Sequence, residues 1–510
     1  MASAERSQAS LLVELAESVE LFTTPLGEAY GRIPVGGHWE TWPLRAKVFR
    51  HWLARCFYQC YGHTAHSQAM LDALATIEGH ALYDSDVAEV HVRIGADGDV
   101  LYLDLADDGW RAVQISRDGW QVVADSTVRF RRSAGMLPLP EPVRGGDLER
   151  LQANVNVGDD DWQLLVAWLI GALRPVGPYP VLCLHGEQGS AKSTTAALLR
   201  ALIDPNEAML RAEPRDGRDL MIAARNCWII ALDNLSRLPD WLSDALCRLA
   251  TRGGYATRTL YTDVDETIVS AQRPILLNGI EELATRGDLL DRAIVCYLPR
   301  IENYRPEEEL WQRFEEARPA ILGGLLDAVV CALQHEHDVR LEHVPRMADF
   351  ARWVTAAEPE LGWQPGSFLA SCSPALHRVA PHLRPFGIEI EFKQTLKRSR
   401  RGIRIRKPPN PASQASQETD DGAAAPDARD AATLATHQSD RFRPGSSDTP
   451  AGHVSRATDG TSGRPGRPVV IGDDGYLELL DRALAGGFVT GRERRQRRLL
   501  HLAIRRAEAA

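Results

Sequence analysis

The chain has 510 residues, enough for about two to four domains, and 44% of them are apolar, which is ordinary for a globular protein. A formal net charge of -10 excludes a uniformly basic nucleic-acid wrapper, although local basic patches remain compatible with it. The eight cysteines include no CxxC pair, which predicts reduced thiols in a cytoplasmic protein. The N-terminus has no uninterrupted apolar stretch and the chain has no long apolar run, so neither a secretory signal nor a membrane partner is predicted.

Residues 1–145 are predicted to form a small N-terminal α+β domain. Between Ser10 and Ala75, apolar residues recur at intervals of three and four, which predicts mainly helices. From Val90 to Arg131 the apolar residues alternate, first across an Asp-Gly turn, and this pattern is typical of an antiparallel meander.

The middle of the chain is predicted to be an α/β core. Single apolar strands alternate with helices over residues 150–300, starting with a helix from Asp159 to Leu173, and such alternation favours a parallel sheet. Residues 301–370 return to helical spacing, with Leu310, Phe314 and Ile321 on one face, and are predicted to form a helical lid.

Three further segments follow this lid. Residues 371–407 contain a basic turn and two alternating stretches, which predict a small winged-helix-like module. Residues 408–468 are rich in small and polar residues and have almost no large aliphatic ones, so they are predicted to be a disordered linker. Residues 469–510 are predicted to be a basic helical tail.

The run from Val181 to Thr194 carries the strongest chemical signal. An apolar strand leads into a glycine-bearing loop and then a helix, which is the arrangement that aims backbone N–H groups and a helix N-terminus at a phosphate chain. Lys192 would reach the β and γ phosphates, and the Ser193 hydroxyl would ligate Mg²⁺. The predicted ATP-binding residues are Gly186, Glu187, Gln188, Gly189, Ser190, Ala191, Lys192, Ser193 and Thr194.

One residue departs from the usual phosphate-loop pattern. Ala191 precedes Lys192 where that pattern has glycine. An alanine there costs little if its φ is negative, but its Cβ is strained if φ is positive.

Two later strands end in polar residues that suit the same chemistry. The apolar strand from Trp228 to Leu232 ends in Asp233 and Asn234, and a carboxylate at the carboxyl end of a strand beside the phosphate loop is suited to holding magnesium. Asn278 ends the strand RPILLN and could contact the γ-phosphate or orient the attacking water. Taken alone, each could instead be an ordinary strand end or turn former.

Arg292 opens the strand after Asn278, and Arg286 lies shortly before it. A guanidinium can spread its charge over a transferring phosphoryl group, so either residue could reach the nucleotide of a neighbouring subunit. A surface ion pair with Asp288 or Asp291 is the alternative interpretation.

Together these motifs resemble the AAA+ ATPase core of superfamily III helicases and of phage, plasmid and mobile-element primase-helicases. The resemblance lies in the GEQGSAKST loop, the DNLS strand end and the ILLNGIEE strand. It implies a hexameric ring that binds ATP and Mg²⁺, hydrolyses ATP and moves along single-stranded DNA. Within it, the catalytic assignments fall on Lys192, Asp233, Asn234, Asn278 and Arg292, and the metal assignments on Ser193 and Asp233.

The sequence departs from the fuller members of that group. No primase motif is visible in the first 150 residues, so a separate primase is the expected partner. Asn234 stands where many members have a second acid, and an amide cannot accept a proton. The short distance from Phe368 to Leu376 also leaves little room for a complete winged helix.

Two regions are candidate DNA contacts. The stretch between Asp233 and Asn278 predicts a β-hairpin across the acidic turn at residues 263–266, with Arg252 and Arg258 as its cations. The basic module would add phosphate contacts from Lys393, Lys397, Arg398, Arg400 and Arg401. In both regions a solvated surface is the alternative, and the arginine cluster in the tail could serve DNA or a partner protein.

These observations leave two functions open. The first is a ring motor that translocates on DNA or unwinds it during replication of a mobile element. The second is a nucleotide-gated DNA- or protein-binding switch with weak hydrolysis, which Asn234 favours. A small-molecule kinase is disfavoured because it would have no use for the Asn278 strand together with an arginine finger.

Overall fold

The computed structural model describes residues 6–251, 255–258, 266–269, 271–279, 287–301, 304–341, 346–372, 389–396 and 400–406. The predicted linker and tail at 408–468 and 469–510 lie outside these residues. The described residues up to 372 belong to one compact unit, and a later hairpin belongs to a second. None of the helices in the described part of the chain is long and apolar enough to cross a membrane.

The N-terminal region contains a sheet that the helical pattern did not predict. Its elements are α1 (Gln8–Leu15), β1 (Glu20–Thr23), β2 (Ala29–Val35), β3 (His38–Pro43), α2 (Lys47–Tyr61) and α3 (Ser67–Tyr83). The antiparallel order is β1-β2-β3, and β2 turns into β3 through Gly36 and Gly37, which both have positive φ. The prediction of mainly helices was therefore wrong between residues 20 and 43, because two adjacent glycines form a tight hairpin turn there.

The predicted meander is confirmed. Its elements are β4 (Val90–His91), β5 (Ile94–Asp97), β6 (Val100–Asp104), β7 (Ala112–Ser116), β8 (Gly119–Val123) and β9 (Arg129–Phe130). Strands β5 to β8 form an antiparallel sheet in chain order. Inward residues such as Leu103, Val113 and Ile115 join the same hydrophobic core as the helices of the middle region.

The central sheet is parallel, as the alternation of strands and helices predicts. The elements of this part of the chain, in order, are α4 (Glu149–Gln152), α5 (Asp159–Ala172), β10 (Val181–His185), α6 (Lys192–Ile203), α7 (Gly217–Asn226), β11 (Ile230–Leu235), α8 (Asp240–Ala250), β12 (Tyr255–Arg258), β13 (Glu266–Val269), β14 (Ile275–Gly279), α9 (Gly287–Leu290) and β15 (Ala293–Tyr297). The strand order is β11-β14-β10-β15, so β10 lies inside the sheet.

The two faces of this sheet are covered by different helices. Along β10, Leu182 and Leu184 contribute to the core that includes α5 and α6, whereas Val181 and Cys183 contribute to the core of α7 and α8. Successive side chains of a strand point to opposite faces, so one apolar strand serves both cores. The sheet is thus buried on both sides, and its carboxyl edge is left for polar residues.

The helical pattern after residue 306 is also confirmed. It forms α10 (Glu307–His335), α11 (Ala348–Ala357) and α12 (Ser367–Cys372). Buried residues of α10, including Phe314, Ile321 and Leu325, share one core with α5 and α6. In the second unit, β16 (Glu389–Leu396) pairs antiparallel with β17 (Arg400–Arg406), so the two predicted strands of the basic module are present.

A buried charge network ties the meander to the end of α6. The Arg93 guanidinium is fully buried and contacts the Asp204 carboxylate at 3.3 Å, and it donates to the carbonyl oxygens of Asp104, Leu137 and Pro205. The other Asp204 oxygen accepts N–H bonds from Trp228 and Ile229, just before β11. The N-terminal region is therefore anchored to the core through groups that would be costly to leave unpaired.

Candidate nucleotide site

The loop between β10 and α6 has the shape that a phosphate chain needs. A Cβ atom at Gly186 would come within 2.5 Å of both the Leu298 carbonyl oxygen and the Ser190 hydroxyl oxygen, so only glycine fits there. Gly189 has φ of 83°, which favours glycine. Helix α6 begins at Lys192, directly after the loop, and its first N–H groups point towards the space above it.

Ala191 adopts the conformation that the sequence marks as strained. Its φ and ψ are 60° and 33°, in the left-handed region, although the residue carries a Cβ. The backbone at this position therefore has the left-handed conformation that glycine adopts easily, and the alanine side chain strains it.

We expect Ala191→Gly to raise the free energy of unfolding by about 0.5–1 kcal/mol, because the strain relieved exceeds the added freedom of the unfolded chain. Chemical denaturation measures this change. The matched control is the exposed helical residue Ala54, where the same substitution should lower stability by about 1 kcal/mol. A loss of stability at both positions would contradict a strained Ala191.

The Lys192 ammonium lies over this loop. Its Nζ donates to the carbonyl oxygens of Gly186 at 2.8 Å and Glu187 at 2.9 Å, and lies 3.5 Å from the Ser190 hydroxyl. Burial lowers the pKa of Lys192, while the nearby Asp233 carboxylate raises it. Neutral carbonyls satisfy this ammonium only partly, so a phosphate would be a stronger partner.

Ser193 and Asp233 meet at the carboxyl edge of the sheet. The Ser193 hydroxyl donates to the Asp233 Oδ1 at 2.8 Å, although the two residues are 40 positions apart in the chain. A hydroxyl and a carboxylate are oxygen ligands of the kind that Mg²⁺ prefers beside phosphates. The pair predicted from sequence to hold the metal is therefore brought together.

Asn278 supplies an unpaired donor next to this pair. Its side chain is 1% exposed, and its Oδ1 accepts the Asn234 backbone N–H at 2.9 Å. Its Nδ2 is buried and has no hydrogen-bond partner among the described residues. An orphan amide costs free energy unless something accepts its hydrogen bonds, and phosphate or water oxygens would do so.

Asn234 follows Asp233 at the exposed edge of β11. Its φ is 54°, a left-handed value that asparagine tolerates better than most residues. The β11 ladder is irregular between Leu232 and Leu235, which turns this strand end out of the regular pairing.

Two residues around the loop carry no signal in the sequence. Asn156 Nδ2 donates to the carbonyl oxygens of Ser190 at 3.1 Å and Pro299 at 2.5 Å, and the Tyr304 hydroxyl donates to the Gly189 carbonyl oxygen at 3.1 Å. They fix the outer rim of the loop from segments far away in the chain. Isolated Asn and Tyr residues in polar stretches could not have been identified beforehand.

Arg292 lies at the opposite edge of the sheet. Its carbonyl accepts the Val181 N–H at the start of β10, whereas the loop follows His185 at the end of that strand. The strand between them spans about 15 Å. The Arg292 guanidinium donates to the Asp288 carbonyl oxygen at 2.6 Å. Arg292 therefore does not contact the phosphate loop of its own chain.

The predicted DNA contacts are only partly described. The predicted hairpin is present as β12 paired antiparallel with β13, with Arg258 at the end of β12. Lys393 lies in β16, and Arg400 and Arg401 lie in β17. Arg252, Arg286, Lys397 and Arg398 fall outside the described residues.

The residues around the loop fit a Mg²⁺-bound nucleoside triphosphate. A Cβ at Gly186 would fill the loop, and Lys192 lies above the loop. The buried Asn278 side-chain amide has no acceptor among the residues that the structure describes. These features meet where parallel strands end, which is the usual binding edge of such sheets.

Residues 148–364 match the sequence model of a family described as the actinomycete integrative conjugative element replication protein. The match covers less than half of the chain. No curated protein matches. The middle of the chain is therefore similar to a mobile-element replication protein.

Solved structures that are similar to this chain include the following two. One is described as the SCCmec type IV Cch active helicase, with 12% identity, coverage of 72% of this chain and 73% of that chain, and a TM-score of 0.37. The other is the apo A form of the NrS-1 C-terminal region, with 12% identity, coverage of 74% and 78%, and a TM-score of 0.35. Similarities at these TM-scores carry no weight for the function.

Proposed function

We propose that this chain is an ATP-hydrolysing AAA+ ring motor, resembling superfamily III helicases, which translocates on DNA or unwinds it during replication of a mobile element. The observation that carries the proposal is the meeting of Ser193 and Asp233 beside the Lys192 loop. The family similarity over residues 148–364 supports the replication context.

Each site residue has a distinct task in this proposal. The N–H groups of residues 186–194 and the Lys192 ammonium bind the phosphates, and Ser193 and Asp233 hold the magnesium ion. That ion, when bound, neutralises charge on the phosphate oxygens. Asn278 would donate its side-chain amide to the γ-phosphate or to the attacking water, and Asn234 would position that water.

The remaining parts of the proposal concern partners. Single-stranded DNA would run along the β12-β13 hairpin, contacting Arg252 and Arg258, and the basic module would add Lys393, Lys397, Arg398, Arg400 and Arg401. The ring would be a hexamer acting in the cytoplasm, with a separate primase. The basic module has eight Lys and Arg residues and no acid between Lys393 and Lys407, whereas the two arginines of the hairpin region precede the acidic turn at residues 263–266.

The direct experiment measures ATP turnover with and without single-stranded DNA, together with the molecular mass in ATP. The motor predicts that DNA accelerates turnover and that ATP assembles a ring. Equal turnover in both conditions, from a chain that stays monomeric, would contradict it.

Arg292→Ala is expected to abolish turnover by removing the finger that each subunit extends to its neighbour. Mixing it with Lys192→Ala subunits should restore activity, because some interfaces then combine an intact loop with an intact arginine. At equal amounts, about a quarter of the interfaces are complete, so about a quarter of the wild-type rate is expected. No recovery on mixing would count against a role for Arg292 in the neighbouring site.

Asn234 favours a second candidate, the nucleotide-gated DNA- or protein-binding switch. An amide next to Asp233 can orient water but cannot take its proton. The switch predicts a stable ATP-bound oligomer with negligible turnover, and it predicts that Asn234→Asp accelerates hydrolysis at least about tenfold. A wild-type chain that already turns over rapidly with DNA would eliminate this candidate.

A further inference from the structure

A second polar pocket lies where the N-terminal region meets the central core. Its volume is about 450 Å³, which is in the size range of small-ligand sites. Residues from both regions line it, among them Trp42, Arg131, Arg132, Ser133, Asn206 and Arg211. It is separate from the Lys192 loop, and none of its residues belongs to the nucleotide site described above.

The pocket carries two guanidinium groups, those of Arg131 and Arg211, that pair with no carboxylate in the part of the chain that the structure describes. Arg131 donates to the Asn226 Oδ1 at 2.5 Å and to the Arg225 carbonyl at 3.0 Å, and Arg211 reaches only the Cys227 sulfur at 3.4 Å. The Arg211 Nε is buried and has no partner among the described residues. Both side chains are half-buried and have no carboxylate partner among the described residues, so both groups are suited to an anion.

The surroundings reinforce this excess of positive charge. Arg273 lies close enough to Arg131 for the Arg131 charge to lower its pKa, although burial contributes more to that lowering. Among the described residues, its guanidinium donates to the backbone carbonyl oxygens of Ala224, Cys227 and Gln272. Arg132 is the one guanidinium lining the pocket that pairs with a carboxylate, at 2.6 Å from Asp104. Within the described residues, Asp204 is occupied by Arg93, Arg200 and two backbone N–H groups and does not contact Arg131 or Arg211.

An aromatic group completes the pocket on the N-terminal side. Trp42 is half-buried, and its ring meets Trp110 edge to face at 5.7 Å, while its indole N–H donates to Glu40. The Arg132 guanidinium lies 4.0 Å from the Trp110 ring centroid. Fixed indole rings beside guanidiniums provide both a stacking surface for a base and partners for its phosphate.

We propose that this pocket binds one nucleotide unit of single-stranded DNA, with its phosphate between Arg131 and Arg211 and its base against Trp42. The recognised chemistry is a nucleotide phosphate, which a free nucleotide also carries. A DNA strand is favoured over a free nucleotide because the chain is similar to a replication protein over residues 148–364. In addition, no acidic side chain among the described residues contacts Arg131 or Arg211, so no negative charge there would repel the neighbouring phosphates of a strand.

The proposed DNA pocket is connected through the backbone to β11, the strand that carries Asp233. The Asp233 N–H donates to the Arg211 carbonyl oxygen at 2.8 Å, so the segment that carries Arg211 pairs directly with β11. The proposed binding does not depend on ATP hydrolysis, because its two guanidiniums lie outside the Lys192 loop. A chain that proves inactive as an ATPase could still bind DNA here.

The test uses the full chain without nucleotide and with magnesium chelated, so that no ATP is bound or hydrolysed at the Lys192 loop. The probe is a fluorescein-labelled oligothymidylate of about 15 nucleotides, followed by anisotropy. The double substitution Arg131→Gln, Arg211→Gln should weaken binding at least about tenfold and should lower the salt dependence by about one phosphate contact, because both arginines hold the same phosphate. The exposed Arg55→Gln is the matched control and should bind like the wild type.

A second measurement locates the strand even if the double variant folds poorly. An oligonucleotide carrying 5-iododeoxyuridine should crosslink to Trp42 in the wild-type chain, and excess unlabelled strand should suppress the crosslink. Suppression by AMP at equal concentration would assign the same pocket to a free nucleotide and overturn the preference for a strand. Unchanged affinity in a folded double variant, or crosslinks that avoid Trp42, would overturn the site.

Discussion

Lys192→Ala is expected to reduce ATP turnover at least about 100-fold, because its ammonium lies over the loop between β10 and α6, where it would bind the phosphates. The ammonium donates to the carbonyl oxygens of Gly186 and Glu187, contacts that the alanine methyl group cannot replace. A neutral side chain would leave the phosphate charge to the backbone N–H groups and the metal alone. Steady-state phosphate release measures the effect.

The matched control for this variant is Lys47→Ala, which removes an exposed lysine from the start of α2. It should turn over ATP at the wild-type rate. The Lys192 variant should keep its thermal stability, since partly buried Lys192 contributes hydrogen bonds only to its own loop. If both variants hydrolyse ATP equally well, Lys192 has no role in phosphate binding.

Arg93→Met is expected to lower the free energy of unfolding by about 3–5 kcal/mol, the usual cost of leaving one partner of a buried ion pair alone. The substitution leaves Asp204 with a single guanidinium, Arg200 at 3.8 Å. It also removes the Arg93 donor from the carbonyl oxygens of Asp104, Leu137 and Pro205, of which Pro205 still accepts the Leu137 N–H. Urea denaturation measures the loss, and exposed Arg55→Met should change stability by less than about 0.5 kcal/mol.

The Arg93 result also bears on how the N-terminal region is held. Arg93 belongs to the meander, whereas Asp204 ends the helix that begins at Lys192 and caps the entry to β11. A large effect means that the meander and the core unfold together. A loss of under about 1 kcal/mol would show that Arg93 does not anchor them.

The geometry of the candidate nucleotide site could largely be predicted because its signals are local. The spacing from Gly186 to Ser193 defines the loop, and Asp233 and Asn278 each end an apolar run. Parallel strands bring their carboxyl ends to one edge, so three separate segments converge without any further information. The conditional expectation for Ala191, strain if φ is positive, is realised by its φ of 60°.

The parts that could not be predicted depend on contacts between distant segments. Tyr304 and Asn156 reach the loop from more than 30 positions away, and Arg93 reaches Asp204 from 111 positions away. No periodicity encodes such pairings. The N-terminal sheet is a different case, since the two glycines after Val35 signal a hairpin and the mixed apolar spacing around them obscured it.

The central proposal is that a nucleoside triphosphate binds between the loop after β10, Lys192 and the pair formed by Ser193 and Asp233. Equilibrium titration of the purified chain with a fluorescent ATP analogue in magnesium tests it most directly. We expect saturable binding that weakens when magnesium is chelated and is lost in Lys192→Ala, while Lys47→Ala binds normally. A folded wild-type chain that binds no nucleotide in the presence of magnesium would contradict the account.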